Sequence, residues 1–365
     1  MIFRDNPCFP HPESTQISPV LEFICCSFCV EATRVLSFCT IGGAPTAIPR
    51  LSLLLKYEFE GKDGVCQHNY QTTFSPADSV CIDILNSMSK RKVAHTFTTQ
   101  EFLEGAGVRL HRGFSYMPEN LFDPFLLFDD FSSENPVDFM AGFPWHPHRG
   151  IETVTYILKG DVEHKDSIGN AGVISKGDVQ WMKSGSGIIH QEMPKGSSGL
   201  VGFQLWINIP KKHKMTAPNY QEYKAKEIPE FEYANGIVAR VVAGPAEQFK
   251  GPVTGDDVDP TYIDFQLKPG AELSVPVPSG YTSFIYVFDG TIQITDSAYK
   301  AGQIVLFDRI GTEVNLGAKS SGARILFVSG KPLHEPVAWH GPIVMNTREE
   351  LVLAFEELND GTFIK

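Results

Sequence analysis

Three histidines and two glutamates stand at spacings that could build a metal centre: His146-Pro147-His148, then Glu152, then His190-Gln191-Glu192. Side chains two apart on a β-strand point the same way, so His146, His148 and Glu152 are expected on one face, and His190 and Glu192 on another. Where two such faces meet inside a barrel, their side chains enclose a cation. Neutral imidazole suits iron, nickel, copper and zinc, and a carboxylate adds an anionic oxygen. Three histidines and one carboxylate leave an octahedral ion open to water, dioxygen or a chelating substrate. A lone histidine on a strand more often makes a hydrogen bond; three at paired spacings argue for a metal. Spacing alone does not choose between Glu152 and Glu192 for the carboxylate position, and each is also a candidate general base.

The elements that must position these residues read as strands. Thr153–Leu158, Asp161–His164, Gly177–Met182 and Val201–Ile207 are short β-like runs, with glycines at 150, 160, 169, 172, 177, 185, 187 and 199 between them. Many short strands with glycine turns and no intervening helical period point to an antiparallel sandwich or barrel. Pro210 to Pro229 reads as a connector. Further β-like runs follow from Ile237 to Ser329, and Thr347–Leu358 carries the one helical pattern, with apolar residues at 351, 353, 354 and 355 among acids.

The two β-rich stretches look like diverged copies. Setting Leu158-Lys159-Gly160-Asp161 against Phe288-Asp289-Gly290-Thr291 places Pro276 and Pro278 opposite His146 and His148. Setting Gly177-Asp178-Val179 against Gly302-Gln303-Ile304 places Asn315 and Gly317 opposite His190 and Glu192. The second copy keeps the strands without the ligands, so one metal site is expected. The expected fold is all-β: two tandem antiparallel barrels with a short C-terminal helix. Residues 1–95 form an extension without a regular period, 96–230 the first barrel and 231–365 the second barrel plus the helix.

Composition narrows the function. The chain has 365 residues, 42% hydrophobic content and a formal charge of −12, which argues against the phosphate backbone as the main partner and against direct sequence-specific DNA binding. All seven cysteines lie in the first 81 residues. Cys26-Ser27-Phe28-Cys29 has CxxC spacing, but no second pair follows at zinc-finger distance, so isolated thiols are expected there. No run reaches the 18 or so apolar residues of a membrane helix, and the N-terminus lacks the basic start and early apolar core of a secretory signal.

Phe143–Thr153 with the turn at Gly160, and Gly177–Met182 continuing to Gly185-Ser186-Gly187-Ile188-Ile189-His190, approximate the two cupin motifs. The stretch from His146 through Tyr156, with Gly187–Pro194, Gln204–Asn208, Thr282–Tyr286 and His340–Thr347, closely resembles the pirin family over roughly residues 97 to 365. The resemblance implies a bicupin with one iron, ferrous or ferric, held by His146, His148, His190 and Glu192, with other divalent transition metals as substitutes. Glu152 would then be a neighbouring pocket group. Ser186 stands where many pirins carry arginine. The resemblance further implies quercetin 2,3-dioxygenase activity on a flavonol-like small molecule, with Glu192 or Glu152 as the base. Its alternative is an iron-dependent transcriptional coregulator that binds a transcription-factor protein. A nuclear or cytoplasmic location goes with both. His164 is expected at a strand surface or pocket rim, Trp181 and Trp206 in the core, and Arg149 and Lys183 as ordinary surface charges.

Overall fold

The computed structural model describes residues 90–365, apart from 118, 234, 245–249 and 254–256. The cysteine-bearing stretch, including Cys26-Ser27-Phe28-Cys29, lies outside the described residues. Two antiparallel β-barrels follow one another, as the strand runs and glycine turns imply.

β1 (Val93–Thr98) precedes the first barrel, which comprises β2 (Gln100–Glu104), β3 (Val108–Phe114), β4 (Phe125–Asp130), β5 (Phe143–His148), β6 (Ile151–Lys159), β7 (Asp161–Asp166), β8 (Ala171–Ile174), β9 (Val179–Lys183), β10 (Ile188–Lys195), β11 (Val201–Asn208) and β12 (Asn219–Tyr223). Its sheets run β12-β9-β6-β11-β4-β3-β2 and β5-β10-β7-β8. The second barrel comprises β13 (Glu230–Tyr233), β14 (Ile237–Ala243), β15 (Thr261–Leu267), β16 (Glu272–Pro276), β17 (Thr282–Ile294), β18 (Ser297–Lys300), β19 (Gln303–Phe307) and β20 (Glu313–Gly330), in the order β1-β19-β17-β20-β15-β14-β13. The two seven-strand orders match position for position, which is what a duplicated unit requires.

The edge strand is where the copies part. The first barrel takes its edge from β12, in the stretch read as a connector, whereas the second takes it from β1, which lies before both barrels in the chain. The division expected between residues 95 and 96 therefore falls inside β1. Just ahead of that strand, Arg91 is buried and its guanidinium donates to the carbonyls of Tyr281, Pro278 and Gly311 and to Ser283 Oγ.

The barrels meet across a shared apolar core that includes Phe114, Phe128 and Phe203 of the first and Phe284, Tyr286 and Leu326 of the second. Two reciprocal buried hydrogen bonds cross it: Tyr156 Oη donates to Asp264 at 2.8 Å, and Tyr286 Oη donates to Asp130 at 2.6 Å. Tyr156 and Tyr286 lie on corresponding strands β6 and β17, and Asp130 and Asp264 on β4 and β15. Inside the second barrel, Val275, Ile285, Val305, Val314, Leu316 and Phe327 belong to one apolar cluster. Its strand pair β16–β20 sets Ser274 opposite Asn315 and Val275 opposite Val314.

Beyond the second barrel the chain forms a hairpin, β21 (Ala338–His340) and β22 (Ile343–Met345), and a helix, α2 (Arg348–Asn359). Thr347 caps the helix by accepting from Glu350 N, while the Glu350 carboxylate accepts from Thr347 N. A one-turn helix at Pro136–Phe139, α1, was not visible as a period; Asn135 caps it and proline opens it. No helix among the described residues is long and apolar enough to cross a membrane.

Candidate metal centre

β5 is an edge strand paired only with β10, and this is why His146-Pro147-His148 can be a strand at all: proline lacks the N–H that a central strand would need. The register sets His190 directly opposite His146 and Ile188 opposite His148. Directly opposed residues point to the same face, so the three imidazoles converge on one side of one sheet. Along β10 burial alternates, with His190 and Glu192 turned inward. One ligand atom from each of His146, His148 and His190 lies within 4.8 Å of the others.

The tautomers follow from what each outer nitrogen meets. His146 Nδ1 lies 2.9 Å from Pro144 O and His148 Nδ1 lies 3.1 Å from Pro342 O. A carbonyl only accepts, so in the neutral ring both Nδ1 atoms carry the proton and both Nε2 atoms present a lone pair. Those two Nε2 atoms face one another at 3.1 Å. Two lone pairs at that distance repel unless a cation lies against both; nitrogens bound side by side on one ion at about 2.0–2.1 Å would stand at such a separation. His190 Nε2 is buried with no hydrogen-bond partner, and its Nδ1 lies 3.4 Å from the Tyr220 hydroxyl. The donor set fits a transition-metal ion.

Burial holds His148 and His190 well below the usual histidine range, and the neighbouring imidazoles push in the same direction, His146 on His148 and His148 and His146 on His190. Both rings are therefore neutral near pH 7, the form that binds metal.

Glu192 lines the same cavity as His146 and His148. Its carboxylate accepts from Thr155 Oγ1 at 3.0 Å and Gln204 Nε2 at 3.2 Å, and it is not among the grouped ligand atoms. Glu152 goes elsewhere. The chain turns at Arg149-Gly150 between β5 and β6, which breaks the two-residue alternation, so the expected face shared with His146 and His148 does not form. Within β6, Glu152 lies three residues from Thr155 and so on the opposite face; it accepts from Trp181 Nε1 at 2.7 Å and pairs with Lys183 at 3.2 Å.

The C-terminal hairpin completes the surroundings. Gly150 has φ +78, and a Cβ there would sit 1.9 Å from Val344 O, so only glycine lets β22 approach the turn after His148. Arg149, expected as a surface charge, is 2% exposed: it donates to Ser186 O, Phe363 O and Glu357, and its guanidinium lies over the Phe363 ring. Lys214, also buried, donates to Gly150 O, Asn208 Oδ1 and Val344 O. His164 is buried rather than at a rim, pairing with Glu222 and stacking on Tyr220. Trp181 is in the core as expected, whereas Trp206 is half-buried and lines the cavity.

A cavity of about 620 Å³ opens over His146 and His148, with His190 buried behind them. Tyr116, Trp145, Trp206 and Trp339 supply aromatic walls, and Arg112, held by both oxygens of Asp129, supplies charge. Trp339 comes from the hairpin after the second barrel, so the first barrel and the C-terminal hairpin together line the cavity.

Residues 105–207 match the family model for pirin, and residues 262–364 match that for the pirin C-terminal cupin domain. This chain belongs to the pirin family. A pirin-like protein from Caulobacter vibrioides is 41% identical over 278 residues, covering 76% of this chain and all of that one. Pirin from Homo sapiens is 40% identical over 284 residues, covering 75% of this chain and 95% of that one. Among solved structures, a quercetin 2,3-dioxygenase from Acinetobacter baumannii superposes with a TM-score of 0.69 at 33% identity, covering 75% of this chain and 98% of that one. The pirin match carries the bicupin architecture with it, and the three-histidine group falls within the first pirin segment.

Proposed function

We propose that this pirin is an iron-dependent dioxygenase of the quercetin 2,3-dioxygenase type, with the ion held by His146, His148, His190 and Glu192. The single observation that carries the reading is the convergence of three imidazole nitrogens at an aromatic-walled cavity of about 620 Å³. A bound ion would supply Lewis acidity toward substrate oxygen atoms and a redox centre for dioxygen.

The chain's own residues account for substrate handling. Trp145, Trp206, Trp339 and Tyr116 offer ring faces and edges to a flat polyphenol, and Arg112 offers a cation to a phenolic oxygen at the cavity wall. Glu192 is the base in this reading: it reaches the cavity, whereas Glu152 is held by Trp181 and Lys183 on the other face of β6. The proton from the flavonol hydroxyl passes to the Glu192 carboxylate, whose Thr155 and Gln204 contacts keep it oriented. The named activity of the A. baumannii relative supports this substrate class.

Oxygen-electrode assays with quercetin, on metal-loaded wild type and His148→Ala, test the proposal. Oxygen uptake with loss of flavonol absorbance is expected in wild type and not in the variant. Turnover that survives both metal stripping and His148→Ala contradicts it.

A second reading is a nuclear coregulator whose metal state alters binding to a transcription-factor protein. It is favoured by Trp145, 53% exposed and adjacent to His146 on β5, which ties the metal ligands to an open surface. Equal partner affinity in ferrous, ferric and metal-free protein removes it.

A further inference from the structure

Of the three ligand histidines, His146 and His148 are oriented by backbone carbonyls, which no side-chain substitution removes. His190 is different: its outer nitrogen meets a side chain, Tyr220 Oη, at 3.4 Å. We propose that Tyr220 is the positioning residue for His190, accepting a hydrogen bond from Nδ1–H and so leaving Nε2 of that ring free for the ion. The proposal rests on the three-histidine metal site.

Tyr220 is braced for this task. It lies on β12, paired with β9 so that Tyr220 stands opposite Met182, and its ring stacks on His164 with centroids 5.8 Å apart and planes 18° from parallel. His164 lies on β7 directly across from Glu192 on β10, and its Nε2 pairs with Glu222, two residues along β12 from Tyr220. Gln180 also donates to Glu222, at 3.4 Å. Gly172, opposite His164, leaves the room: a Cβ there would stand 2.6 Å from His164 Nε2 and 3.1 Å from Glu222 Oε1.

The chemistry sets the direction of the bond. A phenol offers one donor and two lone pairs, whereas a phenolate offers only acceptors. Burial and the carboxylates of Asp166, Glu192 and Glu222 keep Tyr220 a neutral phenol. Its lone pair can take the His190 N–H while its own O–H turns toward this acidic surround. The opposite tautomer would leave an N–H on the buried, partnerless Nε2, an unsatisfied donor that the fold disfavours.

The test is Tyr220→Phe, which removes one oxygen and keeps the ring that stacks on His164. In competition with a chromophoric chelator, using iron(II) and cobalt(II), the folded variant is expected to bind metal about 10–100-fold more weakly than wild type. Equal affinity in the variant and wild type overturns the proposal. Nitrogen-15 NMR of histidine-labelled, metal-free wild type gives a readout independent of any variant: His190 is expected as the Nδ1–H tautomer, and the Nε2–H tautomer overturns the proposal even where Tyr220→Phe fails to fold. The metal-site reading fails separately, if His148→Ala and wild type hold metal equally or neither holds it.

Discussion

His148 and Pro342 are joined across 194 residues: Nδ1 of the one lies 3.1 Å from the carbonyl oxygen of the other. A strand edge of the first barrel thus depends on a hairpin that follows the second. The link is held in place by the close packing of Gly150 against Val344, by Lys214 bridging the same two carbonyls, and by the main-chain bond from Val344 N to Arg149 O at 3.0 Å.

Gly150→Ala is therefore expected to disturb both stability and metal binding. The left-handed backbone costs an alanine about 1–2 kcal/mol, and the clash with Val344 O adds to it. Urea denaturation of the metal-free protein should show at least that loss. An unchanged midpoint would mean that the hairpin does not press on this turn.

Arg149→Met tests the clamp on the C-terminal tail. Removing the guanidinium leaves Ser186 O and Phe363 O without their donor and Glu357 without its buried partner. Each buried carbonyl left without its donor costs about 1–3 kcal/mol, while Glu357 keeps its bond from Lys365, and Arg149→Lys should recover only part of the loss, because an ammonium cannot reproduce the planar fork over Phe363. Denaturation midpoints of the two variants check the order.

The sequence made the barrels readable, because period-2 alternation and glycine turns are local signals, and the same holds for His146, His148 and His190, brought together by a register that strand spacing already implies. Glu152 misled, since counting by twos fails across the turn at Arg149-Gly150. Arg149 misled too: its partners lie 37 and more than 200 residues away, beyond any local pattern. Pro342 acts through its carbonyl, which every residue type has, so nothing in its side chain announces the role. Tyr220 left no such trace: in Asn219-Tyr220-Gln221-Glu222-Tyr223 the two tyrosines are three apart rather than two, so the stretch reads as a connector.

The reciprocal tyrosine–aspartate bonds between the barrels should differ in strength. Tyr156→Phe leaves Asp264 with its two bonds from Arg324, so a loss of about 1 kcal/mol is expected. Tyr286→Phe strips the only hydrogen bond drawn to Asp130 Oδ2 among the described residues, and the loss should rise to about 1–3 kcal/mol. Chemical denaturation of both variants decides; equal losses would mean that Arg324 does not compensate.

Acid should destabilise the metal-free protein through His148 and His190. Both stay neutral in the fold below the pH at which a histidine in the unfolded chain takes up its proton, so the unfolded state binds more protons as pH falls below about 6.5. Their contribution is fully present above that pH and is lost progressively on acidification toward their lowered folded values. The melting temperature of metal-free wild type should fall more steeply than that of metal-free His190→Phe from pH 7.5 to 5. Parallel curves contradict the assignment.

We propose one metal ion per chain, held by His146, His148, His190 and Glu192. Elemental analysis of iron-reconstituted, desalted protein tests it most directly, comparing wild type with His190→Ala. One equivalent of iron per chain in wild type and almost none in a folded His190→Ala variant is the predicted result. Undiminished iron in the variant, or no iron retained by wild type, would contradict it.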